Sequence, residues 1–267
     1  MTIRSTSNIS VRFLHFLRFL RLLLLFVFIT GNSLTSARAE TITLIGEDDW
    51  YPYSGLKDGR IRGFAADVIE AAYAAGGIQV RFASAPYSRC LMLAQTGQAL
   101  GCFDSLQDAK LASLFIFHKE PIFKAVIGIY ARENDKPPAI SRLDLRGQKV
   151  GVTHGYTYGS DIENDAGIIR ETAPSDLSNL RKLLRGRSDY SLVYTRVADH
   201  LRVTHPQEFQ GKIKQVGVAL EDKLFVSFSK SWPGATRYAQ LLDSGLVAIR
   251  ANGTYAKIEQ RWQTPPP

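Results

Sequence analysis

The chain has 267 residues, 45% hydrophobic, 10% aromatic and 22% charged. That balance excludes a disordered tail, a collagen-like polymer and a disulfide-dense mini-protein, and it suffices to bury a full core. The formal charge of +8 gathers at one end, since Arg4, Arg12, Arg18, Arg21 and Arg38 all precede the first acidic residue, Glu40; without them the net charge is about +3, which argues against a nucleic-acid partner.

Residues 1–39 read as a secretory signal peptide. They hold an Arg-bearing start, the apolar run Leu22–Ile29, a turn-prone Gly31-Asn32-Ser33, and Ala37-Arg38-Ala39 in the small-x-small pattern before a cut. The run is shorter than the ~20 apolar residues of a membrane span, and Arg18 and Arg21 stop its extension backwards. The expectation is cleavage after Ala39 and a soluble, exported, periplasmic product.

Thr41 to Gly46 reads as an apolar strand, followed by a loop with Asp48, Asp49, Trp50, Tyr51, Pro52 and Tyr53. After a Lys57-Asp58-Gly59-Arg60 turn, apolar residues at 65, 68, 69, 72 and 73 keep helical spacing over Phe64 to Tyr73, with Gly76-Gly77 as the stop. Strand Ile78–Phe82, helix Leu91–Gln95 and strand Ala99–Phe103 follow, and this alternation argues for βαβ units and a mostly parallel sheet. Strand Ala125–Ala131 runs into Glu133-Asn-Asp-Lys-Pro-Pro138, the strongest punctuation in the chain, read as the crossing into a second lobe. The alternation then restarts with strand Gln148–Val152, a helix near 158–166, a strand near 168–171, helix Asp176–Arg185 and strand Tyr190–Tyr194. Val197–Val203 looks helical, Lys212–Val218 extended, and Leu224–Ser229 a further strand. Helices Ala235–Arg250 and Tyr255–Trp262 close the chain, broken at Asn252-Gly253.

Cys90, opening the second helix, and Cys102, ending the next strand, allow either a disulfide in an oxidising compartment or two buried thiols. Without a neighbouring His pair they make no zinc site, and no metal or organic cofactor is expected. No Gly-x-Ser-x-Gly, HExxH or phosphate-loop motif is present, so no catalytic residue is assigned.

The binding candidates follow from residue type and place. Trp50 and Tyr53, just past the first strand, offer rings that stack on a ligand or attract a cation. Arg89, at the start of the second helix, offers donors either to an anionic ligand or to Asp104. Asp104 and Ser105, placed after the strand ending at Phe103, suit an ammonium or guanidinium group, or else cap a turn. Thr153, Tyr156 and Thr157 sit in a Gly-containing strand-to-helix turn, where N–H groups and hydroxyls favour an anion. His154, in the same loop, reads as a surface histidine.

Several stretches carry a resemblance when taken in order: Trp50-Tyr-Pro-Tyr53, Gly59-Arg-Ile-Arg-Gly-Phe-Ala-Ala-Asp67, Pro86-Tyr-Ser-Arg-Cys-Leu91, Phe117-His-Lys-Glu-Pro-Ile-Phe123, Leu145-Arg-Gly-Gln-Lys-Val-Gly-Val152 with Gly155, and Asn252-Gly-Thr-Tyr-Ala-Lys-Ile258 with Trp262. The chain resembles the bacterial extracellular solute-binding proteins of family 3, the amino-acid-type receptors of ABC import systems. The resemblance implies an α/β fold of two lobes joined by two crossing hinge strands, with a ligand cleft between them. Lobe 1 would span 40–131 and lobe 2 132–222, with 223–267 returning to lobe 1 and adding the C-terminal helices. It implies a non-catalytic, monomeric periplasmic receptor that closes on a small polar metabolite (amino-acid-like, an organic acid or a small cation) and delivers it to an inner-membrane ABC permease. An exported dehydratase-like enzyme and a solute-sensing module on the same scaffold are the alternatives.

Two departures from the family pattern bear on the ligand. The place where relatives hold an α-carboxylate with Arg falls on Lys110, and the place where they hold an α-amino group with Asp falls on Tyr194 or Thr195. Lys lacks the planar fork of Arg, and a phenol carries no charge at neutral pH. The α-amino-acid clamp is therefore absent or rebuilt.

Overall fold

A computed structural model describes residues 40–135 and 138–263. The signal-peptide expectation, on residues 1–39, lies outside them. No helix among the described residues is long and apolar enough to cross a membrane.

The chain begins with β1 (Thr41–Glu47), buried from Leu44 onwards. A small antiparallel sheet follows, of β2 (Asp49–Trp50), β3 (Ser54–Lys57) and β4 (Arg60–Arg62). Asp58 and Gly59 join β3 to β4 with φ of 53° and 73°, the positive pair that a two-residue hairpin of this hand requires. In α1 (Phe64–Ala75) the apolar stripe read from the sequence is the buried face, and the helix ends at Gly76-Gly77. Next come β5 (Gln79–Ala85), α2 (Tyr87–Gln95), β6 (Gly101–Leu106), α3 (Ala109–Leu114), β7 (Phe115–Phe117) and β8 (Phe123–Arg132). The second run holds β9 (Lys149–Thr153), α4 (Ser160–Glu163), β10 (Ile169–Ala173), α5 (Asp176–Leu184), β11 (Tyr190–Tyr194), α6 (Thr195–Thr204) and α7 (Pro206–Phe209). The chain returns along β12 (Ile213–Ser229) and closes with α8 (Ala235–Ala251) and α9 (Thr254–Gln263).

The main sheet has the order β10-β9-β11-β8-β12-β6-β1-β5, with β7 also pairing β12. Strands β9, β10 and β11 are parallel to one another on one flank, and β1, β5 and β6 on the other. Between the flanks β8 and β12 run antiparallel, paired from Ile213↔Arg132 to Leu224↔Phe123 with register shifts between Gln215 and Gly217 and between Val218 and Leu220. This is a two-lobe α/β fold with two crossing strands. Helix α8 lies so close to α1 that a Cβ on Gly245 would sit 2.0 Å from the Ala72 carbonyl oxygen, which explains a glycine mid-helix despite its conformational cost.

Four boundaries differ from the sequence reading. Lys212–Val218 and Leu224–Ser229 belong to one strand, because Leu220 to Lys223 pair with Ile127 to Lys124 and so carry the polar Glu221-Asp222-Lys223 through the sheet. The helix expected over 158–166 is the single turn Ser160–Glu163. Helix α2 starts at Tyr87, straight after Pro86, rather than at Cys90 or Leu91, since Pro fits the position before a first turn. Strand β6 runs on to Leu106, so Cys102 stands near its start, and Asp104 and Ser105 lie within it.

Cys90 of α2 and Cys102 of β6 are joined by a disulfide, with Cα atoms 5.5 Å apart. Both are fully buried in a small cluster with Ile45, Tyr87, Ala94, Leu111 and Phe115.

Candidate functional site

The ends of parallel strands are where ligands meet open α/β sheets, and here both lobes place side chains at such ends. Glu47 is the last residue of β1 and Tyr87 the first of α2; Tyr156 and Thr157 follow β9, and Tyr194 ends β11. Together with Trp50, Asp104 and Leu106 they line one cavity of about 10 Å³, roughly the room a single water needs.

Asp104 owes its direction to a bulge. Cys102 pairs with Ser227 and Ser105 with Phe225, so Phe103 and Asp104 together oppose Val226. Asp104 takes φ of 69°, a left-handed conformation that Asp adopts more readily than most residues. The residue is 7% exposed, and neither carboxylate oxygen has a hydrogen-bond partner in the protein. Burial pushes its carboxyl up to about 8; the nearby Ser54 hydroxyl, itself unpartnered, offsets only part of this.

Two further carboxylates share these surroundings. Glu47, 8% exposed, accepts a 2.6 Å hydrogen bond from the Tyr156 hydroxyl across the cleft, and burial holds its carboxyl well above the usual range. Asp176, the first residue of α5, is 2% exposed; its Oδ1 accepts a 2.5 Å bond from the Thr153 hydroxyl, while its Oδ2 has no partner. Burial pushes this carboxyl up to about 7.

Aromatic rings close the lobes on one another. Trp50 stacks on Tyr53 at 4.5 Å and meets Tyr194 edge-on at 4.8 Å; Tyr87 meets Tyr156 edge-on at 5.5 Å. The buried Trp50 Nε1–H has no acceptor. Gly155, with φ of 80°, passes so near α2 that a Cβ there would lie 2.9 Å from that of Ser88. Behind this layer the Arg196 guanidinium lies over Tyr53 and Phe64 and donates to the Trp262 carbonyl. Outside the cavity a groove of about 560 Å³ carries Asp48, Asp49 and His154 beside Glu47.

Of the residues singled out in the sequence, the structure brings Trp50, Asp104, Tyr156, Thr157 and Tyr194 to the cavity. Tyr53 stands behind Trp50, sandwiched against Phe123. Thr153 reaches the site only through Asp176. The Ser105 hydroxyl accepts from Tyr87 and bonds Ser227. Arg89 and Lys110 are exposed and outside the lining, and Arg89 does not pair with Asp104. Sequence reasoning misses Glu47, Tyr87, Leu106 and Asp176. Glu47 extends β1 by one residue past the apolar run, and Asp176 looks like an ordinary acidic residue in a first helical turn. Among the described residues no three His, Cys, Asp or Glu side chains are placed to hold a metal ion.

A family model described as bacterial extracellular solute-binding proteins, family 3, matches residues 42–265. Among solved structures, an ancestral arginine-binding protein bound to arginine is similar with a TM-score of 0.70 and 22% identity, over 83% of this chain and 97% of that one. A histidine kinase sensor domain with similarity to periplasmic binding proteins gives 0.74 and 22%, over 84% and 96%. The arginine-, lysine-, histidine-binding protein ArtJ from Geobacillus stearothermophilus gives 0.70 and 18%, over 84% and 95%. No curated protein matches the chain by sequence.

Proposed function

Because the chain belongs to the bacterial extracellular solute-binding proteins, family 3, we propose that it is a periplasmic receptor that closes on one small molecule and delivers it to an inner-membrane ABC permease. In this reading residues 40–131 and 223–267 form one lobe, residues 132–222 form the other, and β8 and β12 are the hinge. The observation that carries it is the set of buried polar atoms without partners at the cleft, both oxygens of Asp104 and the Trp50 Nε1–H. Each such atom costs about 1–3 kcal/mol in a folded protein. A ligand that bonds them recovers that cost, which gives closure on a solute its driving force. The likeness to a histidine kinase sensor domain favours a second reading, in which the same closure is sensed by a membrane partner instead of feeding a permease.

Thermal unfolding of the purified protein against amino acids, amines, small carboxylates and sugars tests binding. A ligand at 100-fold over its Kd adds about 2.7 kcal/mol. At about 2–4 °C per kcal/mol, the midpoint is expected to rise by roughly 5–11 °C for one chemical class, with the compound recovered unchanged. No shift from any class contradicts the receptor, and conversion of the compound contradicts a non-catalytic role.

A further inference from the structure

The cavity is lined by acidic side chains and by no basic one. Glu47 and Asp104 line the cavity, whose lining contains no Lys, Arg or His, and Asp48 and Asp49 stand at its mouth with Glu47. Asp176 lies near enough to raise Glu47, Tyr156 and Tyr194 further. The cations that a ligand carboxylate would need are elsewhere. Arg89 and Lys110 are exposed outside the lining, and Arg196 lies over Tyr53 and Phe64, bonded to the Trp262 carbonyl. His154 stands only at the outer groove.

Acidic residues alone make no site, but Asp104 adds a second observation. Its carboxylate is more than nine-tenths buried and aimed into the cavity by the β6 bulge, and neither oxygen makes a hydrogen bond within the protein, the Ser54 hydroxyl being a donor nearby. Around it stand Trp50, Tyr87, Tyr156 and Tyr194, whose rings attract a cation and repel a carboxylate. Taking the receptor reading as its basis, we infer that the cleft, once the lobes part beyond the roughly 10 Å³ they enclose here, binds an organic cation with no carboxylate of its own, an amine or guanidine whose N–H groups meet Asp104 and Glu47 while its alkyl part packs among these four rings. A ligand α-carboxylate would enter a buried cavity with no Lys, Arg or His as counter-ion, beside acidic groups that could ionise only against it. The raised carboxyl groups agree with this, since a bound cation is the partner that lets them ionise.

Matched pairs isolate the carboxylate: agmatine differs from arginine, and cadaverine from lysine, by that group alone. Calorimetric titration at pH 8 is expected to show the decarboxylated member of at least one pair binding ten-fold or more tightly than its amino acid. Asp104→Asn keeps the size and backbone tolerance of the residue, and it is expected to lose at least ten-fold in that affinity while the free protein unfolds no lower than wild type. Glu47→Gln serves as a second variant with the same expectation for affinity. Equal or tighter binding of arginine or lysine overturns the cation class and leaves the receptor standing, as does binding of only a dicarboxylate or a sugar. Unchanged amine affinity in both variants overturns the assigned anchors. Failure of the amines, amino acids, carboxylates and sugars alike overturns both readings.

Discussion

Taking the free protein from pH 8 to pH 6 is expected to raise its thermal midpoint by roughly 4–16 °C. Asp104 and Asp176 hold their protons up to about pH 8 and pH 7 in the folded chain, whereas the same side chains in the unfolded chain ionise near pH 3.9. Over this window the native state binds more protons than the unfolded state, so stability falls as pH rises and returns as it is lowered. Each group contributes about 1.4 kcal/mol per pH unit while it is protonated in the native state only. The two together give on the order of 2–4 kcal/mol between pH 8 and 6, and about 2–4 °C follows per kcal/mol. Glu47 adds in the same direction, tempered by its bond from Tyr156. Asp49, raised by burial and by Asp48 and lowered by His205, also leans this way. Half-buried His200 opposes them, because burial, His205 and Lys57 hold its imidazole below the usual range, but its effect is confined to pH near and below 6.5. Asp104→Asn is expected to flatten the pH dependence. A midpoint that stays level or falls on acidification in the wild type contradicts the assignment of buried, unpaired carboxyls.

Removing the disulfide is the second large effect. Cys90 and Cys102 are separated by 12 residues, and a closed loop of about that length stabilises a fold by roughly 3 kcal/mol through the unfolded state. Cys90→Ala with Cys102→Ala is expected to lower the midpoint by about 6–12 °C, the conversion again being about 2–4 °C per kcal/mol. The bond also ties the helix that begins with Tyr87 to the strand that carries Asp104, so ligand affinity is expected to weaken along with stability. A change below about 2 °C with unaltered affinity contradicts both parts.

The fold is legible where side-chain periodicity and turn chemistry agree. Strand Tyr190–Tyr194, the buried stripe of α1 and the Asp58-Gly59 hairpin turn can all be read from local sequence. Boundaries slip where tertiary pairing overrides composition. Glu221-Asp222-Lys223 looks like a break, but β8 supplies it with partners. Asp104 reads as a loop residue because its place within β6 depends on a bulge opposite Val226, which no local pattern announces. The same limit governs the site. Trp50 is conspicuous as a ring just past a strand, and Tyr194 is singled out by the place that the family resemblance gives it, whereas whether Arg89 and Lys110 face a cleft or solvent depends on how their helices are rotated. Burial makes Glu47 and Asp176 unusual, and burial is a property of the packed lobes.

The inferred cation site requires that buried, protonated carboxyls become the ionised partners of its ligand. The most direct test is calorimetric titration with agmatine at pH 7 in two buffers of different ionisation enthalpy, repeated at pH 6 and 8. Release of about one proton or more on binding is expected, with affinity rising up to ten-fold per pH unit for each proton released. Affinity and the stability of the free protein should then move in opposite directions with pH. Binding without proton release, or with an affinity that is flat or falls from pH 6 to 8, would contradict it.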